Sequence, residues 1–236
     1  MSRSSALAPA FVLHRRRYRD SSLLLELFTP GEGRLAAIAR GALGGKRNRG
    51  GTLQPFQPLC VGWSGRGEVR TLTAAEPRSE AFRLTGKCLY CGFYINELLI
   101  YLLRRHDSHE LLFHYYEQAL AGLAGGQELE ALLRAFELRL LTEIGYRMEL
   151  RYDAGTGEPV DPRSWYAYQD EAGPVRCAAG TPGRLRGSTL LKLAANQALD
   201  EQESREAKRL IRRVLGFHLD GRELKSRELF RNAGAD

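Results

Sequence analysis

Two glycine-flanked turn signals, PGEG at 30–33 and SGRG at 64–67, punctuate the first 77 residues of this 236-residue chain. Each separates two short apolar runs, so each reads as the turn of a β-hairpin. AFVLHRRRY, SSLLLELFT, RLAAIARGA, QPLCVGW and EVRTLTAAEP then become five strands. A sheet this small leaves two unpaired edges unless it closes on itself, which favours a compact five-stranded barrel. An OB-type barrel is the expected form, although strand count alone does not separate it from an SH3-like one.

Past Glu80 the apolar period lengthens to that of a helix. GKCLYCGFYINELLIYLLRR carries Leu89, Phe93, Leu98 and Leu102 near a spacing of four. Asp107 and Glu110 have the spacing of a capping box ahead of ELLFHYYEQALAGLA, which Gly125-Gly126 ends. QELEALLRAFELRLLTEI forms a third helix closed by Gly145, and TLLKLAANQ and EQESREAKRLIRRVLGFHL form two more. Residues 146–187, rich in glycine and proline with a strand-like WYAY, read as an irregular insert. The expected organisation is α+β: a barrel over 1–79, then a helical domain over 80–236 that carries the insert.

Charge follows the same division. The chain has 35 Lys and Arg against 28 Asp and Glu, a net charge of +7. Residues 1–79 hold 13 of the basic and 5 of the acidic residues, so the barrel segment alone is +8 and the rest is −1. A cationic barrel favours a polyanion. The glycine-rich loop GALGGKRNRG is basic but is not a phosphate loop. With Lys46 as the lysine, Arg40 and Arg47 fall where a glycine and a hydroxyl are needed. A flexible cationic loop remains, set against a merely solvated one. Arg15 and Arg17 fall on one face of the first strand and Arg16 on the other, which suits a ligand face or a charge-guarded edge equally.

No constellation points to bond-making chemistry. Cys88 and Cys91 form C-x-x-C, but Cys60 and Cys177 are isolated and the interior pair is Leu-Tyr, so core helix positions are the simpler reading. His106, His109 and His114 have no convergent carboxylates, and no metal site is expected from them. Four cysteines without a secretory signal suit a reducing cytoplasm, and no apolar run is long enough to span a bilayer. On the last long helix, Leu210, Ile211, Val214 and Leu215 form an apolar stripe flanked by Arg205, Lys208, Arg209 and Arg212. A stripe of this kind is either a solvated helix packing on the core or the rim of a groove for an acidic peptide.

AFVLHRRRYRDSSLLLELFTPGEGR, ARGA, LQPFQPL and GRGEVRTLTAAE, taken in order, resemble the N-terminal domain of the RecO recombination mediator family. LYCGFYINELL, RAFELRLLTEIGY and LKSRELFR resemble the remainder, so the likeness covers about 11–231 and is closest to the gamma-proteobacterial type. The resemblance implies an OB barrel, a helical bundle and a zinc-finger-like insert. It implies a cytoplasmic, nucleoid-associated protein that is not an enzyme and binds single- and double-stranded DNA. Such a protein anneals strands coated by the single-stranded-DNA-binding protein, touches that partner's acidic C-terminal tail, and with RecR helps load RecA. Family members with a zinc finger carry two C-x-x-C pairs. Here these fall near Asp153 and Thr156 and near Cys177 and Gly180, leaving one thiolate of four. No metal and no cofactor are therefore expected, and Trp165, Tyr166 and Tyr168 are the candidates to hold the insert by packing.

The expected DNA surface is Arg15, Arg17, Arg34, Lys46, Arg47, Arg49, Arg66 and Arg70. The expected tail site is Arg134, carried over from the RAFEL block, with Lys208, Arg209, Leu210, Arg212 and Val214. The alternatives are an RNA-binding OB protein of translation or RNA metabolism, and an enzyme using Cys88 and Cys91.

Overall fold

The computed structural model describes residues 7–44, 50–226, 228 and 229. Five strands open the fold: β1 (Ala8–Tyr18), β2 (Ser22–Thr29), β3 (Gly33–Ala39), β4 (Leu59–Ser64) and β5 (Val69–Pro77). They close into a barrel in the order β1-β2-β3-β5-β4, with β4 returning to β1. All neighbours are antiparallel except β3 and β5, which run parallel. That order and that one parallel pair distinguish the OB arrangement from an SH3-like barrel, a choice the strand count left open. Five-strand closure depends on β1, which pairs with β4 through Ala8–Ala10 and with β2 beyond them, its register shifting between Val12 and His14. A bulge at that point bends one long strand around two neighbours.

Alternation sets the interior. Leu23, Leu25 and Leu27 of β2 point inward with Val12, Leu35, Leu59, Val61 and Leu72. Each leucine so buried contributes about 2 kcal/mol. The small Ala37 and Ala39 of β3 face the leucines of β2 across the register and let the barrel close tightly.

Two helices belong to the same compact unit, which comprises residues up to 127 and those from Leu224 onward. They are α1 (Gly86–Leu102) and α2 (Glu110–Ala124). Phe113 and Tyr116 of α2 pack on Phe11 and Phe28, with ring centroids 5.0–5.9 Å apart. The buried face of α1 is Cys91, Gly92, Tyr94, Ile95, Asn96, Leu98 and Leu99. Of the four positions read as its stripe, only Leu98 is buried, and Leu89, Phe93 and Leu102 are half-buried. The compact unit therefore does not stop at residue 79, because these helices cover the apolar side of β1 and β2.

The capping box expected at Asp107 does not form. His109 is the N-cap and gives no side-chain bond. The preceding loop is instead tied to the β2–β3 hairpin: the His106 N–H donates to Arg34 O, and the His109 N–H and Ser108 hydroxyl donate to Pro30 O. Asp107 O lies so near Gly33 that a Cβ there would sit 1.7 Å from it, and Gly33 has φ +56°.

The second compact unit spans residues 128–223. It contains α3 (Leu129–Glu143), β6 (Trp165–Gln169), β7 (Gly173–Cys177), β8 (Leu185–Arg186), α4 (Gly187–Ala194) and α5 (Glu201–His218). The insert is more regular than expected, a three-stranded sheet in the order β7-β6-β8. Its DEAG corner at 170–173 is the hairpin signal that marks β7. On α5 a full capping box joins Asp200 and Glu203, and the predicted stripe of Leu210, Ile211, Val214 and Leu215 is buried. No helix among the described residues is long and apolar enough to cross a membrane.

Candidate nucleic-acid interface

Strand direction gathers four of the five predicted cations that are described at one end of the barrel. The pairs Tyr18↔Ser22, Leu23↔Ala39 and Ile38↔Thr71 place the β1–β2 turn, the end of β3 and the start of β5 together, and Ser64↔Thr71 adds the β4–β5 turn. Arg17 and Arg66 are exposed there, and neither has an ion pair with a described acid. Arg15 and Arg70 share that end but are committed to it structurally. Arg15 lies on the inward row opposite Leu25, and its Nη1 donates to Gly50 O at 2.7 Å and to Leu53 O at 3.3 Å. Arg70 Nη1 donates to Gly65 O at 2.6 Å, spanning the β4–β5 turn. These two arginines hold loop roots and also add positive charge. Lys46, Arg47 and Arg49 lie outside the described residues. Their flanks are anchored at this end, with the Leu43 N–H on Ser21 O and the Gly50 N–H on Ala42 O.

Arg34 is not part of this group. Its strand position, opposite Phe28, places it at the far end of the barrel. Nε donates to Leu103 O at 3.2 Å and Nη1 lies 3.4 Å from Glu26, which also receives Arg105. An arginine in a half-buried ion pair holding a hairpin to the chain after α1 is occupied in the fold. Sequence reasoning also missed three exposed cations at the basic end, namely Arg16, Arg19 and Arg40. The RRRYR run contains the first two. Arg40 follows the last residue of β3, so strand alternation would have placed it at the rim. The acids at this end are Asp20 and Glu68, both exposed.

The predicted tail residues divide into two sets. Lys208 Nζ donates to Glu130 at 2.9 Å, and Arg134 and Arg212 are close enough to act on the same carboxylate. The Lys208 bond, set against some burial and aided by those arginines, holds Glu130 below the usual carboxylate range. Arg134 is buried, with Nη1 2.8 Å from Glu137 Oε2, yet its Nε and Nη1 make no hydrogen bond to a described residue. Leu210 and Val214 are buried beneath α5 and present no apolar surface of their own. Arg209 faces elsewhere, toward Trp165 and Arg184 of the insert.

The residues at the two C-x-x-C positions do not fit a zinc ion. Asp153 is buried, with Oδ1 accepting from the Gly155 N–H at 2.8 Å and Oδ2 from the Arg176 N–H at 3.2 Å. The carboxylate thereby stitches the 153–157 turn to β7. Thr156 accepts from the Glu158 N–H, leaving Cys177 without a second soft donor. Tyr166 and Tyr168 are buried, and the Tyr166 hydroxyl accepts from the Asp161 N–H at 2.9 Å. Cys88 and Cys91 lie on α1, half-buried and buried.

Comparison with known proteins covers nearly the whole chain. Residues 1–80 match the family described as Recombination protein O N terminal, and residues 83–228 match Recombination protein O C terminal. A protein of Methylococcus capsulatus named DNA repair protein RecO is 49% identical over 224 residues, covering 95% of this chain and 92% of that one. Proteins of the same name from Nitrosococcus oceani and Yersinia pestis are each 46% identical, covering 94% of this chain and 92% of theirs.

Proposed function

This chain belongs to the RecO family, and from that premise we propose that it is a DNA-binding recombination mediator. On this reading it anneals complementary strands coated by the single-stranded-DNA-binding protein and, with RecR, promotes RecA loading in DNA repair. It works in the cytoplasm, at the nucleoid, and carries out no bond-breaking chemistry. The observation that carries the reading is the barrel end where Arg16, Arg17, Arg19, Arg40 and Arg66 stand exposed and where, among the described residues, the acids are Asp20 and Glu68.

The physical basis is electrostatic. Two strands repel as polyanions. A cationic surface that neutralises phosphates lowers that repulsion and gains entropy from released counterions. An OB barrel suits this role, because the turns between strands 1 and 2 and between strands 4 and 5 border its oligonucleotide face. Here Arg19 lies in the first turn and Arg66 in the second. Arg134 supports a role for the partner's acidic tail. Its Nη1 is already paired with Glu137, but its Nε makes no hydrogen bond to a described residue. With Lys208 and Arg212 nearby, it adds positive charge where a tail carboxylate gains charge-assisted contacts.

The test is annealing of complementary strands pre-coated with the single-stranded-DNA-binding protein, with and without that protein's C-terminal tail. Fast annealing on the intact coat, lost on the tail-less coat, is expected. Equal annealing on both coats removes the tail from the mechanism. No acceleration of annealing on bare or coated strands removes the proposed function. Double-stranded DNA, compared at the same salt, is expected to bind by the same barrel end.

A further inference from the structure

Within the second compact unit, a cavity of about 250 Å³ opens between the insert and α5, lined by Trp165, Gly183, Arg184, Gln202, Glu206 and Arg209. We propose that it binds a phosphate group of single-stranded DNA, as a nucleic-acid site separate from the barrel. The proposal rests on the DNA-binding reading above and extends it to a place where composition gave no signal, since the chain beyond residue 79 is nearly neutral.

The guanidinium groups of Arg184 and Arg209 line the cavity, and that of Arg186 lies over the Trp165 ring at its edge. Among the described residues none of the three is in an ion pair. Those of Arg184 and Arg186 lie over the Trp165 ring, 4.7 and 5.3 Å from its centroid. Arg184 donates to Thr181 O at 3.3 Å, and its Nε is buried with no hydrogen bond to a described residue. Arg186 Nη2 donates to Gln202 Oε1 at 3.4 Å. Arg209, on the exposed side of α5, has no ion pair with a described acid.

Glu206, the one acid lining the cavity, is already consumed. Its Oε2 accepts from the Thr189 hydroxyl at 2.6 Å and the Arg186 N–H at 2.9 Å, and its Oε1 accepts from Gln202 at 3.3 Å. The carboxylate therefore fastens β8 and α4 to α5 through neutral donors; its single negative charge remains and offsets one of the arginines, which leaves a net positive site. Forked donors stacked on an indole are pre-organised for a phosphate. An acidic peptide ending in apolar residues would need an open apolar floor, and here the indole lies under two cations. Annealing needs two strands held at once, and a second site supplies the second grip.

The experiment uses the full chain and a fluorescent oligo-dT, with affinity measured across a salt series. The variants are R209Q, the triple R184Q/R186Q/R209Q, and a barrel control R17Q/R66Q. We expect R209Q to bind about tenfold more weakly at low salt, the worth of one charge-assisted contact. Its log–log salt slope should fall by about 0.7, the change for one phosphate contact on a single strand. R209Q sits at an exposed helix position, so it reports even where the triple variant loses stability. Unchanged affinity and slope in R209Q, alongside a loss in the barrel control, overturns the cavity proposal and leaves the DNA-binding reading intact. A wild-type chain that binds no oligo-dT overturns both. If R209Q loses affinity for an acidic peptide and not for oligo-dT, the cavity is a carboxylate site and the proposal fails.

Discussion

The Tyr116 hydroxyl donates to Asn96 Oδ1 at 2.6 Å inside the barrel unit, and Asn96 Nδ2 passes the connection on to Leu13 O at 2.9 Å. One buried amide thus ties α2, α1 and the bulged part of β1 together. Replacing Asn96 with Leu strands a carbonyl and a hydroxyl in the core. The expected loss is about 2–3 kcal/mol, read from urea unfolding. A variant as stable as the parent would show that these groups find other partners.

Alkaline pH probes the same contact. Burial pushes the Tyr116 phenol far above its ordinary value of 10.0, against a smaller opposing effect from Asn96. A group whose pKa is higher when folded stabilises fully below the unfolded pKa. That contribution is lost as pH rises past about 10 toward the folded value. Unfolding midpoints should therefore fall above that pH, and more gently in Y116F. Parallel pH profiles for parent and Y116F would count against the assignment.

Glu130 occupies the cations that an acidic tail would use. Glu130→Gln frees Lys208 and removes a negative charge near Arg134 and Arg212. A labelled acidic peptide should bind about two- to fivefold more tightly, the scale of one solvent-exposed pair. Weaker binding in the variant would show that the tail docks away from these residues.

Gly33→Ala should damage the barrel unit more than an ordinary turn substitution. The positive φ alone costs about 1–2 kcal/mol, and a methyl group would meet Asp107 O. Thermal unfolding measures the loss. A variant within 0.5 kcal/mol of the parent, roughly the scale of an inert surface change, would mean the 105–109 loop moves aside freely.

Asp153→Ala removes the acceptor shared by Gly155 and Arg176. Amide hydrogen exchange at these two positions should accelerate, with an insert weakened by about 2 kcal/mol and the barrel unaffected. Added zinc should not restore protection, since Cys177 is the one thiol at the four ligand positions.

The strands and the long helices were legible because turn glycines and apolar periods are local signals. PGEG and SGRG placed both hairpins, and ELLFHYYEQALAGLA matched α2 from end to end. Tertiary competition hid the rest. Asp107 had the spacing of a cap, but the hairpin claimed its loop. The α1 stripe was misread because that helix is buried more broadly, admitting Gly92 and Asn96 to its covered face. At the candidate interface, charge counting found the right segment but could not separate Arg17, which is exposed, from Arg34, which Glu26 occupies eight residues back along the hairpin. Arg209 looked equivalent to Lys208 in sequence. The turn of α5 sends one toward the insert and the other toward Glu130.

The chain leaves the barrel unit after residue 127 and comes back to it at Leu224, where Glu97 receives the Lys225 and Ser226 N–H groups and the Ser226 hydroxyl. In sequence the second unit is thus an insertion between two parts of the first. One protease nick near residue 127 leaves the second unit covalently attached only to the segment from Leu224 onward, so its release then depends on the hydrogen bonds that Lys225 and Ser226 make to Glu97. A truncation meant to isolate the N-terminal part also discards the strap on α1 and tests a fold the whole chain never adopts.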